Sequence, residues 1–61
     1  MSIRVFAKAI TLFELIVQSK KNFSGISAET KKDHLIVGSD SFIKMAELKL
    51  LLDEQKIKWE I

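Results

Sequence analysis

Lys56-Ile57-Lys58-Trp59-Glu60-Ile61 closes the chain in strict alternation, with Ile57, Trp59 and Ile61 set against Lys56, Lys58 and Glu60. A period of two sends successive side chains to opposite faces of an extended backbone, so this stretch reads as a strand with one buried face. A lone strand is not stable in water. The upstream residues must therefore supply a sheet for it to join and a layer to cover its apolar side. Asp53-Glu54-Gln55, just before it, reads as a polar break.

Upstream of that break, Met45, Leu48 and Leu52 recur at helical spacing, and a helix is predicted from about Phe42 to Leu52 with Lys44 and Glu47 outward. Ser39, Asp40 and Ser41 are three successive residues suited to cap its N-terminus. Gly38 ends an apolar strand, His34–Val37. Before that, Ile26, Ala28 and Thr30 alternate with Ser27 and Glu29, and the polar turn Lys31-Lys32-Asp33 joins the two strands as a hairpin.

The first half follows the same logic. Ser2–Ala7 alternates, with Ile3, Val5 and Ala7 on one side and Arg4 and Phe6 on the other, and reads as a strand. Thr11 and Glu14 have capping-box spacing, with Ile10 and Leu15 placed for the accompanying hydrophobic staple. Leu12, Leu15, Ile16, Ser19 and Phe23 mark a buried helix face, Lys20 and Lys21 suit its last turn, and Gly25 stops the pattern. The order is β-α-β-β-α-β. It predicts an α+β open-faced sandwich, a four-stranded sheet with two helices on one face and the tail of the chain as its final edge.

Size narrows what such a fold can do. Sixty-one residues make one domain, residues 1–61, and a domain of this size buries only roughly 60% of the surface its unfolded chain exposes. There is no cysteine and one histidine, His34, so neither a disulfide nor a usual structural zinc site is expected; no metal and no cofactor is predicted. Stability must come from the apolar core, from self-association, or from both. No run reaches the roughly 18 consecutive apolar residues of a membrane span. The Val5–Val17 run is broken by Lys8, Thr11 and Glu14 and carries no small-residue cleavage site, so no signal peptide is expected. A cytoplasmic location is the expectation.

Catalytic apparatus is not visible in the sequence. His34 lies beside a turn with no nucleophile in sight, and Gly25 and Gly38 form no phosphate loop. Asp53 and Glu54, being adjacent, point apart rather than acting as an acid–base pair. The chain is expected not to be an enzyme and to take no small-molecule substrate. Ten basic and eight acidic residues leave +2, and the lysine pairs (Lys20 with Lys21, Lys31 with Lys32, Lys56 with Lys58) fall at element ends or on a solvent face. The charge pattern argues against nucleic acid; a weak nucleic-acid site would use Arg4, Lys56 and Lys58.

The stretch Gly38–Leu50, in which Ser41 opens a helix followed by Phe42, Ile43, Met45, Ala46 and Leu48, resembles the histidine-containing phosphocarrier (HPr) family of the sugar phosphotransferase system. The exit from the first helix, Phe23 to Ile26, is similar too. The resemblance implies an HPr-like domain in which Ser41 is a kinase target and Ser41, Phe42, Ile43 and Ala46 form a partner-binding edge. The plainer reading of Phe42 and Ile43 is core, and of Ser41 an N-cap.

Where the family carries its phospho-acceptor histidine, with an arginine and a proline close behind, this chain has Ala7-Lys8-Ala9-Ile10-Thr11. The relay needs an imidazole nucleophile, so phosphocarrier activity is not expected. The family's C-terminal helix has no counterpart before Ile61. Ile3, Ile26 and Trp59 are therefore expected to want a cover, and a protein partner or a second copy of the chain is expected to provide it. The function this reading predicts is a non-catalytic, HPr-like protein-binding or regulatory module.

Overall fold

The computed structural model describes every residue, Met1–Ile61. Its elements run β1 (Ser2–Val5), α1 (Ala9–Ser19), β2 (Ser27–Thr30), β3 (Leu35–Gly38), α2 (Phe42–Glu54) and β4 (Trp59–Glu60). The four strands form one sheet in the order β2-β3-β1-β4, with every neighbouring pair antiparallel. β1 and β2 thus flank β3, and β3 and β4 flank β1, which makes two interleaved split β-α-β units. The tail strand is an edge of the sheet, as expected.

The register explains the core. Ile3 lies opposite Val37 and Val5 opposite Leu35, so the two central strands place four apolar side chains on one face. Leu12 from α1, Phe23 from the segment after it, and Met45, Leu48 and Leu52 from α2 complete a single buried cluster with them. Both helices therefore cover the same face. The expected Met45–Leu48–Leu52 stripe is fully buried, and no polar residue is buried with it. Ile3, expected to lack a cover, is buried beneath this helical layer, whereas Ile26 and Trp59 are half-buried at its margins.

Several local expectations are corrected. The Thr11–Glu14 capping box does not form, because α1 starts at Ala9, with Lys8 as N-cap and no side-chain cap bond. The Leu12 N–H already closes onto the Lys8 carbonyl at 3.1 Å, which places Thr11 inside the first turn, where its side chain has no capping role. Lys20 and Lys21 are not in the last turn either. α1 ends at Ser19, and Lys20 adopts a left-handed C-cap (φ 56°).

At the other end, α2 runs through Asp53 and Glu54, so the expected polar break is its last turn. The chain leaves by a Schellman motif: Ile57 N–H donates to the Leu52 carbonyl (2.9 Å) and Lys56 N–H to Asp53 (3.1 Å), with Lys56 left-handed at φ 57°. That exit occupies the backbone of residues 56 and 57 and shortens the expected 56–61 strand to Trp59–Glu60. Ile61 consequently lies exposed. Lys44 and Glu47, expected outward, are half-buried; Lys44 reaches across to the turn after α1, where Nζ donates to the Ser24 carbonyl and to Ser24 Oγ.

Candidate functional site

Ser41 is the N-cap of α2. Its Oγ accepts from the Lys44 N–H at 3.2 Å, and its own N–H donates to Ser39 Oγ at 3.0 Å. Of the three capping candidates it is therefore Ser41 that caps, with Ser39 bracing the turn. Ser41 lines a shallow depression with Lys21, Asn22, Ile43, Lys44 and Glu47, between the C-terminal end of α1 and the N-terminal end of α2.

The next residues point away from the core. Because Met45, Leu48 and Leu52 face the sheet, a 100° step per residue turns Ile43, Ala46 and Leu50 to the opposite side of α2. Phe42 is 74% exposed and Ile43 72%, so the reading of these two as core is not what the fold adopts. Ser41, Phe42, Ile43 and Ala46 do come together, and Leu50 extends their apolar stripe by one turn. The sequence reading missed Leu50. Its spacing of four from Ala46 and seven from Ile43 was the available signal.

A second exposed apolar stripe runs along α1: Ile10, Phe13 and Val17. Its three- and four-residue spacing was also visible in the sequence, but the buried stripe of the same helix masked it. Phe13 borders a groove of about 380 Å³ lined only by apolar residues, among them Leu12, Ile16, Phe23, Ile26 and Ala28.

The opposite, uncovered face of the sheet carries an internally paired charge cluster beside Phe6 and Ile36. Arg4 bridges to Glu60 at 3.2 Å, and Lys58 approaches the same carboxylate at 3.6 Å. Lys58 also lies over the Phe6 ring, 5.3 Å from its centroid. Two of the three basic residues named for nucleic acid thus share one acidic partner, and the third, Lys56, sits in the left-handed turn after α2.

Phe6 packs against His34, their ring centroids 5.8 Å apart. His34 Nδ1 lies 2.6 Å from the Asp33 carboxylate, and this hydrogen bond holds the Asp33 carboxyl below its ordinary pKa. Lys8, Lys31 and Lys32 share the surrounding pocket with His34, and the uncapped start of α1 opens onto it. Thr30 supplies the one hydroxyl among the side chains that line that pocket.

Trp59 lies opposite Val5, on the face toward the helices, as its alternation predicts. Its Nε1–H donates to Asp53 at 2.9 Å, and Lys49 Nζ stands 5.3 Å from the ring centroid. Together these contacts pin the short β4 to α2. No helix is long and apolar enough to cross a membrane. No three histidine, aspartate or glutamate side chains converge in a way that could hold a metal ion. No family model, no curated protein and no solved structure matches the chain.

Proposed function

We propose that this chain is a non-catalytic protein-binding module that engages its partner through the outward face of α2, with Ser41, Phe42, Ile43 and Ala46 at its centre. One observation carries the reading: Phe42 and Ile43, adjacent and both nearly three-quarters exposed, open a stripe that Ala46 and Leu50 continue along a well-anchored helix. Large apolar side chains are costly in water, and a contiguous exposed group of them on a small domain marks an interaction surface. The helix is rigid where the stripe begins, because Ser41 caps it and Lys44 ties it to the Ser24 turn. A partner therefore meets a preorganised surface and loses little to ordering.

The reading does not require kinship with the phosphocarriers. The stretch Ala7–Thr11, which the resemblance matches to their phospho-acceptor region, holds no histidine, and its Lys8 cannot act as the imidazole nucleophile. Binding without group transfer is what the α2 surface supports.

The test is capture from the native cell on the immobilised full chain, comparing wild type with Ile43→Asp, each checked for folding by circular dichroism. A protein retained by wild type and absent from the folded variant supports the reading. Identical captured sets would remove α2 from any binding role.

A second reading makes Ser41 a phosphorylation switch, and the shared depression with Lys21 and Lys44 favours it. A phosphate there would meet the positive end of α2 and those ammonium groups, while adding about two negative charges beside the apolar stripe. Intact mass of the chain recovered from its cell decides this one: an added phosphate on Ser41 supports it, and an unmodified mass under all growth conditions ends it.

A further inference from the structure

β2 is an edge strand, and its free side carries unsatisfied backbone groups. Lys31 N–H donates to the His34 carbonyl at 2.8 Å, so residue 31 turns its backbone toward β3. Antiparallel bonding alternates, which turns Glu29 and Ser27 the same way and leaves the N–H and C=O of Ala28 and Thr30 on the open edge. Edges are commonly protected by inward-pointing charges, prolines or bulges. None of these three protects β2, whose inward residues are Ala28 and Thr30; its guards are its four-residue length and the outward Glu29, which is paired with Lys31. Directly above Ala28 lies the all-apolar groove of about 380 Å³, bordered by Phe13 of α1.

We propose that a second copy of this chain fills that edge, pairing β2 with β2 antiparallel about a two-fold axis at Ala28. This surface is separate from the α2 stripe, so the inference does not rest on the proposed function. Side-chain parity selects the register. Residues opposed across an antiparallel pair share a face, so the axis must pass through a residue rather than between two. An axis at Glu29 sets two carboxylates directly opposite each other. An axis at Ala28 sets the smallest side chain of the strand against itself, pairs Ser27 with the partner's Glu29, and lets the two Ala28 residues exchange both N–H···O bonds, because their backbone groups are the free ones.

α1 fits the same axis. Phe13 and Ala28 border one groove, so the two-fold that relates the Ala28 residues also brings the Phe13 rings together. Ile10 and Val17 lie three and four residues to either side of Phe13, so antiparallel α1 helices set each Ile10 against the other copy's Val17. One association thus covers the stripe Ile10–Phe13–Val17, the groove and the open strand edge. Ile10, Phe13 and Val17 are each about three-fifths exposed, so this one contact takes three large apolar side chains out of water together. The product is a continuous eight-stranded sheet with four helices on one face.

Sedimentation equilibrium of the full chain, with folding followed by circular dichroism and Trp59 fluorescence, tests the proposal. Wild type is expected at twice the chain mass at 100 μM. Phe13→Glu and Ala28→Pro are expected at the chain mass while folded; the proline removes an N–H that β2–β3 pairing does not use, so it tests the intermolecular bonds. Ile43→Asp is expected to remain dimeric, which separates this surface from the α2 stripe. Should Ala28→Pro fail to fold, the solvent-facing Phe13→Glu decides alone. In the otherwise cysteine-free chain, Ala28→Cys is expected to form an interchain disulfide on oxidation and Glu29→Cys is not, since only residue 28 meets its own copy across the axis. A wild-type monomer at that concentration, a dimer indifferent to Phe13→Glu, or a dimer lost in Ile43→Asp each overturns the proposal.

Discussion

Leu48 and Leu50 are two residues apart on α2 and have opposite surroundings: Leu48 is fully buried, and Leu50 is 60% exposed. Truncating each to alanine is the sharpest test of how α2 is phased. Removing a buried leucine side chain loses its transfer free energy and leaves a cavity, together about 2–5 kcal/mol. Leu48 lies between Met45 and Leu52 in a core of nine buried residues, with few neighbours free to collapse into the gap, so about 3 kcal/mol is the expected loss.

For a domain of this length the whole stability is roughly 3–9 kcal/mol, so Leu48→Ala removes a third or more of it. At about 4–8 °C per kcal/mol, the midpoint of thermal unfolding should fall by about 12–24 °C. Leu50→Ala removes surface that is already wet and should stay within about 0.5 kcal/mol of wild type. Urea unfolding followed by Trp59 fluorescence, at one fixed protein concentration, measures both. Equal losses from the two variants, or a larger one from Leu50→Ala, would refute the phase of the helix and with it the assignment of its outward face.

Other substitutions probe the ends of elements. Ser41→Ala removes the bond to the Lys44 N–H and should cost about 1 kcal/mol, whereas Thr11→Ala, which caps nothing, should be close to neutral; urea midpoints compare them. Lys56→Gly relieves a left-handed backbone at φ 57° in the Schellman turn and should raise stability by about 0.5–1 kcal/mol, a gain that thermal unfolding would show. Gly38→Ala should lower it by about 1–3 kcal/mol, because a Cβ there would stand 2.8 Å from the Met1 carbonyl oxygen between the two central strands.

The Asp33 carboxyl is held below its ordinary value of 3.8 by His34, so its contribution to stability is complete above that value and disappears as pH falls through the lower folded value. The difference in unfolding midpoint between wild type and Asp33→Asn should accordingly shrink as pH drops below 3.8. A difference that grows in acid would contradict the pairing.

The elements were legible where periodicity and burial agree. Met45, Leu48 and Leu52 repeat at helical spacing and are the buried stripe of α2; Ile3 and Val5 alternate and are the inner face of β1. Boundaries were less legible, because backbone bonds set them. The Leu12 N–H takes the Lys8 carbonyl, which starts α1 two residues before Thr11, and the Schellman turn after α2 takes two residues from an otherwise faultless alternating strand. The α2 surface was half legible. Ile43 is as apolar as a core residue, and its two 100° steps from Met45 turn it outward, whereas Phe42, three steps away and so near the same side as Met45, is exposed as the first residue of the helix. The edge of β2 was not legible, since an edge is a property of strand order, and sequence order does not reveal that β3 lies between β1 and β2.

Hydroxyl-radical footprinting of the full chain puts the division of α2 into a buried and an outward face to its most direct test. Met45 has the more readily oxidised side chain, yet Phe42 and the exposed Met1 should be labelled rapidly while Met45 stays protected until the domain unfolds. Labelling of Met45 as fast as Met1, with Ile43 and Leu50 shielded in the isolated chain, would mean that the helix is turned over and the proposed binding face lies in the core.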